Sequence, residues 1–483
     1  SSASAQVPPP ADGEEVLYGA YKGKSYSPYA QRGFPSRPLW GDTHLHTAMS
    51  MDAGSFGNRL GVREAYQFAR GEELNSATGL PVKLSRPLDW LAVTDHSDNM
   101  GFFPDLFAGA PHILADPKGK EWYDKVQAGQ GVDVALELIG LFSQGKFPEA
   151  LAYTPDSRPY KSAWKETVDA AEEYNEPGHF TALIGYEWTA SPDGRHWHRN
   201  VIFRSGTVPD RPFDYITYPS VARLWTALAA SCRPEDGCDA VAIPHNINWT
   251  DGGTFDVENE SPEISALRGR YERLAEIHQE KGNSECLPGS PDADRTDCGF
   301  ELVPVNSAKL RMLGPPEDPI AEWRTMRSGY YRNLLGRGLV AFEDSNGTLN
   351  PLQLGAIGST DGHFAAAGFT EENDFPGGVT AIWLGPEATL ANPLYNPGGL
   401  VAVWAGENTR SAVFDALQSR RAYATSGTRI RLKFGTTEAD ACSSERMKFN
   451  TPMGGTAPTG ERTFAVQAAM DRTPLAAIDI VKG

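Results

Sequence analysis

Six of the ten histidines close short apolar runs, most of them beside carboxylates, at five separated places in the chain. The runs read Leu39-Trp40-Gly41-Asp42-Thr43-His44-Leu45-His46 and Trp90-Leu91-Ala92-Val93-Thr94-Asp95-His96. Ala182-Leu183-Ile184-Gly185-Tyr186-Glu187 follows, with Trp197-His198 after it, then Val241-Ala242-Ile243-Pro244-His245 and Ile357-Gly358-Ser359-Thr360-Asp361-Gly362-His363. Imidazole and carboxylate brought to one place are ligands for divalent transition metals. His44 and His46 are two apart in extended chain, so both rings project to one side and can meet one ion. Any one of these pairs alone reads equally well as surface or core polar residues. Several, each ending a separate apolar run, point to a metal-dependent hydrolase.

The elements that must position them follow from the same runs. Short apolar stretches ended by turn signals predict buried strands. A parallel β/α barrel gathers the carboxyl ends of its strands on one face, where such side chains would converge. From Leu39 to about Ala424 strand-like runs alternate with helical stretches, the α/β pattern. The helical stretches are residues 62–70, 122–141, 159–174, 221–230, 265–279, 319–336 and 409–421, with Asn408 or Thr409 as N-cap of the last. Gly/Pro/Asp-rich insertions at 101–119 and 282–297 read as loops on the site face. Residues 1–38, rich in Pro, Ser, Gly and Tyr, read as an N-terminal arm, and residues 39–427 as the barrel. In residues 428–483, Arg429–Phe434 and Thr463–Ala468 alternate with period two and predict a small antiparallel β extension. That extension ends in Ile478-Asp479-Ile480-Val481-Lys482-Gly483, mid-strand by its pattern, so a longer natural chain is expected.

The bulk composition narrows the partners. With 483 residues, 40% of them hydrophobic, there is room for one large barrel plus extensions. No apolar run approaches the roughly 20 residues a bilayer span needs. A net charge of -18 argues against nucleic acid, while a small anionic substrate stays compatible because bound metal ions reverse the local field. Cys232 and Cys238 flank a turn-like segment, and Cys286 and Cys298 flank a Pro/Gly/Asp-rich loop; both pairs fit disulfides, free buried thiols being the alternative, with Cys442 left over. The first residues, Ser1-Ser2-Ala3-Ser4-Ala5, resemble what signal cleavage leaves, or a trimmed terminus. Together these features place the protein in the periplasm or outside the cell.

The motifs carry a family resemblance. Gly41-Asp42-Thr43-His44-Leu45-His46-Thr47, Thr94-Asp95-His96, Gly185-Tyr186-Glu187-Trp188-Thr189, His198-Arg199-Asn200-Val201-Ile202-Phe203-Arg204, Pro244-His245-Asn246 and Gly358-Ser359-Thr360-Asp361-Gly362-His363 resemble the polymerase and histidinol phosphatase (PHP) superfamily. Within it they resemble the branch labelled domain of unknown function 3604, from about Leu39 to the end. The resemblance implies a distorted (β/α)7-type barrel holding up to three metal ions. It implies nine ligands: His44, His46, Asp52, His96, Glu187 as the bridging carboxylate, His198, His245, Asp361 and His363. His196 competes with His198 for its position, and the histidine not used as ligand would contact substrate. Asp42 and Asp95 are expected to orient ligating imidazoles, with Asn246 doing likewise or reaching substrate. His278, Asn283 and Glu285 are candidates for the pocket wall, and Arg59, Arg199 and Arg410 for anion clamps.

The implied activity is hydrolysis of phosphate mono- or diesters by a metal-bound hydroxide in a di- or trinuclear site, with Glu187, His196, His198 and Arg199 as catalytic residues. Six histidine ligands favour zinc, manganese or iron over magnesium, which prefers oxygen. The same cluster would serve a sulfatase. A non-catalytic metal- or ligand-binding protein is the reading from another class, weakened by the intact ligand set.

Overall fold

Side chains along the strands sort by parity into two buried faces, and that sorting is what builds the site. The computed structural model describes residues 37–76, 79–287, 298–303, 315, 317–370, 396–438 and 449–481. Nearly all of the expected N-terminal arm, and Cys442, lie outside the described residues. The strands are β1 (Leu39–Asp42), β2 (Leu74–Asn75), β3 (Pro81–Val82), β4 (Trp90–Val93), β5 (Thr181–Trp188), β6 (Arg199–Phe203), β7 (Ala240–Pro244), β8 (Leu274–Gln279), β9 (Gly282–Asn283) and β10 (Gly355–Gly358). They continue with β11 (Leu400–Val403), β12 (Ala422–Thr425), β13 (Arg431–Thr437), β14 (Thr451–Pro452) and β15 (Thr463–Ala469).

Seven strands form one curled sheet in the order β12-β11-β1-β4-β5-β6-β7, and β10-β8-β9 form a second. β8 lies against β7 and β10 against β12, so the second sheet sits between the two edges of the first. The fold is mixed α/β. β1, β4 and β5 are parallel, but β6 and β11 run against their neighbours, which departs from simple parallel β/α alternation. The cause at β6 is chain length: ten residues separate β5 from β6, fewer than a crossover to a parallel strand needs. The β14-β13-β15 sheet is the antiparallel C-terminal unit.

Alternate residues of the curled sheet, among them Leu39, Trp90, Ala92, Leu183, Ile202, Val241, Ile243 and Val401, pack together inside the curl with Leu274 of β8. Their neighbours Trp40, Leu91, Val93, Ala182, Ile184, Tyr186, Val201 and Phe203 face the helices. The inner plug needs a glycine at position 41, where a Cβ would stand 2.2 Å from the Trp90 indole. Gly41→Ala is therefore expected to cost about 1–3 kcal/mol, the range for overpacking, read as a lower urea midpoint at unchanged slope.

The helices follow the sequence with identifiable exceptions. Ser157 caps Arg158–Tyr174 by accepting from the Tyr160 amide, and Thr409 caps Arg410–Gln418 by accepting from Ala412. The stretch expected at 122–141 is two helices, Pro117–Gln127 and Gly131–Ser143, broken where Gly129 takes a φ of 79°. That at 319–336 divides into Pro319–Arg327 and Tyr331–Asp344. The stretch at 265–279 is half wrong: helix Pro262–Tyr271 is followed by β8. The 101–119 insertion carries two helices, Phe102–Ala108 and Pro111–Leu114, in place of an open loop. Cys232–Cys238 and Cys286–Cys298 are disulfides.

Candidate metal centre

Above the apolar plug the same parity turns polar. Along β5, Leu183, Gly185 and Glu187 share a face, so the strand that fills the plug ends by aiming Glu187 over it. His96 bridges Glu187 in parallel register just beyond β4. Beyond β1, Leu45 bridges Gly362; the His46 amide donates to Gly362 at 2.8 Å and the Asp361 amide to His44 at 2.9 Å. That pairing lays His44 and His46 beside Asp361 and His363. Asp361 takes a φ of 54°, a left-handed turn that a short polar side chain tolerates.

Asp42 and Asp95 hold these turns in place. Asp42 accepts from the amides of His44, Thr360 and Gly368 and from the Thr360 hydroxyl. Asp95 accepts from the Thr47 amide at 2.6 Å and its hydroxyl at 2.7 Å. Both were expected to orient imidazoles. They bind backbone amides and threonine hydroxyls of these turns instead.

All nine positions of the motif set converge. His44 Nε2 lies 3.2 Å from His46 Nε2, 3.4 Å from Glu187 Oε2 and 3.3 Å from Asp361 Oδ1. His46 Nε2 lies 3.3 Å from both of those oxygens. Ligands about 2.0–2.1 Å from one tetrahedral ion stand about 3.3–3.4 Å apart, so these five donor pairs have the spacing of ligands that share an ion. The other Glu187 oxygen, Oε1, faces His198 Nδ1 at 2.7 Å and His245 Nε2 at 3.2 Å. Asp52 Oδ2 faces His96 Nε2 at 2.9 Å and His363 Nε2 at 2.8 Å. All of these but His198 fall, together with Glu280, into overlapping groups that could hold metal ions, buried except for half-buried Asp52.

The residues fit metal on a further count. Glu187 Oε2 is buried and makes no hydrogen bond, although three imidazoles surround it. Such an acceptor is costly unless a cation takes its lone pairs. Four of the remaining ring nitrogens have an oxygen beside them, as metal-bound imidazoles usually do, whereas His245 Nδ1 is buried without a hydrogen-bond partner. His44 Nδ1 lies 3.1 Å from Glu276, His46 Nδ1 2.8 Å from Ser50, His198 Nε2 3.0 Å from Ser191 and His363 Nδ1 3.0 Å from Glu280.

Charge inside the cluster is tightly balanced. Burial would lower every imidazole, but Asp52 and Glu187 lift His96 to about 9, and Asp52 and Glu280 lift His363 to about 10. Asp361 and Glu276 likewise hold His44 well above its ordinary value. At His46 burial outweighs Asp52, and the ring falls to about 4. Burial leaves His198 low and His245 and His196 well below the ordinary value. It would raise Glu187, yet His96, His245 and His198 keep that carboxyl well below the usual range.

His196 lies at the half-buried rim, stacked on His198 with centroids 4.6 Å apart, and Asn246 Nδ2 donates to its Nδ1 at 3.2 Å. The arginine expectations are corrected. Arg199 is fully buried on the opposite face, donating to Glu272 at 2.8 Å and to Trp197 and Thr254. Strand parity decides this, since His198 and Asn200 take the inner side. Arg59 donates to the Gly54 and Asn58 carbonyls, and Arg410 to Ala171, Ala182 and Glu172. The pocket-wall candidates also move: His278 pairs with Glu301, Asn283 donates to Phe300, and Glu285 binds Arg332. From that segment Glu276, Glu280 and Lys281 reach the cluster instead, Lys281 ion-pairing with Asp361.

A search of curated proteins finds no match to the chain. Among solved structures, a two-domain protein from Bacteroides vulgatus ATCC 8482, containing a predicted PHP-like metal-dependent phosphoesterase, is similar at 12% identity and a TM-score of 0.34, covering 92% of this chain and 89% of its own. The model of the family described as protein of unknown function (DUF3604) matches residues 33–483, and with the motifs converging as they do over nearly that whole span, the chain belongs to this family.

Proposed function

We propose that this protein is a metal-dependent hydrolase of phosphate esters, built on a distorted PHP-type barrel and holding two or three divalent ions of zinc, manganese or iron. The observation that carries the reading is the set of four donors, His44, His46, Glu187 and Asp361, spaced 3.2–3.4 Å apart in the atom pairs described above. His198 and His245 gather on the second Glu187 oxygen, and Asp52, His96 and His363 form the third group. When bound, the ions supply an acidified water and positive charge beside the ester.

The chain's own residues divide the remaining work. Glu187 fixes two groups of imidazoles relative to each other through its two oxygens. Asn246 donates to His196 Nδ1, which places the ring proton on Nε2, where it can donate to an ester oxygen at the rim. Lys281 neutralises the second oxygen of Asp361. Arg199 has no part in this scheme. The two disulfides favour an oxidising compartment, periplasmic or extracellular.

The test is turnover on metal-quantified protein with an aryl phosphate monoester, an aryl phosphate diester and an aryl sulfate. The reading expects a phosphate ester to be cleaved fastest. Sulfate preferred over both phosphates would move the protein to the sulfatases, and no turnover of any ester would refute a hydrolase of this class. Metal should also stabilise the fold. At free metal 100 times its Kd, linkage adds about 2.7 kcal/mol, seen as a rise in Tm that a chelator reverses. An unchanged Tm would contradict binding at the buried cluster.

A further inference from the structure

A second cleft lies at the opposite end of the barrel, and its chemistry is not that of the metal cluster. It has a volume of about 520 Å³ and runs between the amino-terminal ends of β8 and β12 and the turn after β14. Four arginines line it: Arg270, Arg273, Arg420 and Arg421. In a chain of net charge -18, such a concentration of guanidinium groups needs a reason.

These arginines are not spent on carboxylates. Arg273 donates to the Gln418 and Gly269 carbonyls at 3.1 and 3.0 Å, and Arg420 to those of Gln353 and Gly454 at 3.2 and 2.9 Å. Arg270 lies 3.8 Å from Asp239 and 4.9 Å over the Tyr271 ring, and no carboxylate among the described residues pairs with Arg273, Arg420 or Arg421. Arg270 Nη2 and Arg421 Nε are buried N–H groups without a hydrogen-bond partner. Burial and the neighbouring Arg273 push Arg420 down to about 10, the mark of positive charge held without counter-charge.

We propose that this cleft binds a small soluble phosphorylated anion. Guanidinium groups converging from separate segments match an anion with several tetrahedral oxygens, whereas a lone carboxylate satisfies one fork. The volume suits a small-molecule ligand. Because Arg270 and Arg273 belong to the barrel and Gly454 to the turn after β14, the bound anion ties the C-terminal sheet to the barrel end.

The test is site-resolved. The full, metal-loaded protein is treated with phenylglyoxal, with inorganic phosphate or with chloride at equal ionic strength, and each arginine is followed by peptide mass spectrometry. Phosphate at ten times its Kd is expected to slow modification of Arg270 and Arg421 about tenfold, since only the free site reacts. Exposed Arg462 should react at one rate throughout. A double variant, Arg273→Gln with Arg421→Gln, should keep its metal content, which reports an intact fold, and lose the phosphate protection of Arg270, a readout that phosphate at the metal cluster does not move. Equal modification rates in phosphate and chloride would overturn the proposal. So would protection by anionic lipid vesicles but not by inorganic phosphate, or undiminished phosphate protection of Arg270 in the folded double variant.

Discussion

Glu187→Gln should lower ester turnover by at least about 10²–10³-fold, the loss seen when one strong electrostatic contact to the reacting centre is removed. Its two oxygens serve two groups, Oε2 facing His44, His46 and His96, and Oε1 facing His198 and His245. The amide keeps the shape but removes a full negative charge and turns one of the two positions into a donor, which repels a cation. Metal stoichiometry should fall with activity, and elemental analysis of the variant checks this directly. Glu276→Gln is the informative companion. Among the described residues the Glu276 carboxylate bonds the far nitrogen of His44 and no other group, so its loss should weaken metal affinity 10–100-fold and be rescued by added metal. A Glu187→Gln protein that kept full turnover would remove the bridging carboxylate from the scheme.

Arg199→Met should cost about 3 kcal/mol of stability, the low end for breaking a buried ion pair, without changing metal content. Arg199 and Glu272 are both fully buried, and the same guanidinium satisfies the Trp197 carbonyl and Thr254. Glu272 retains Arg268 in the variant, which is why the cost stays at the low end. Chemical unfolding gives the stability change, and kinetics on the folded fraction separates the two roles. An anion clamp would raise KM at unchanged stability; a buried strut lowers the unfolding midpoint at unchanged KM.

Much of the site was legible because its spacing is the strand period. His44 and His46 follow from alternation, Glu187 comes from the motif resemblance and agrees with the parity of Leu183 and Gly185, and the separate runs identify the ends that meet. The same rule, applied once more, would have corrected Arg199: it lies one residue from His198 on a strand and so must face away. The segment at 274–281 was harder. Its polar residues continue a helical pattern from Pro262, and only the switch to strand at Leu274 puts Glu276 on the inner face while Lys281 follows in the turn. Asp42 and Asp95 show another limit, since whether a buried carboxylate serves a ring or a backbone amide depends on turns set by tertiary pairing. Helix breaks such as that at Gly129 come from backbone conformation, which periodicity does not report.

The most direct test is elemental analysis of the purified, reconstituted protein beside its Asp361→Ala variant, counted as ions per chain. The account predicts two or three equivalents of zinc, manganese or iron in the natural sequence and loss of at least one with Asp361→Ala. A natural protein that takes up no metal after reconstitution, or a variant that binds the full complement, would contradict the assignment of this cluster as a metal centre.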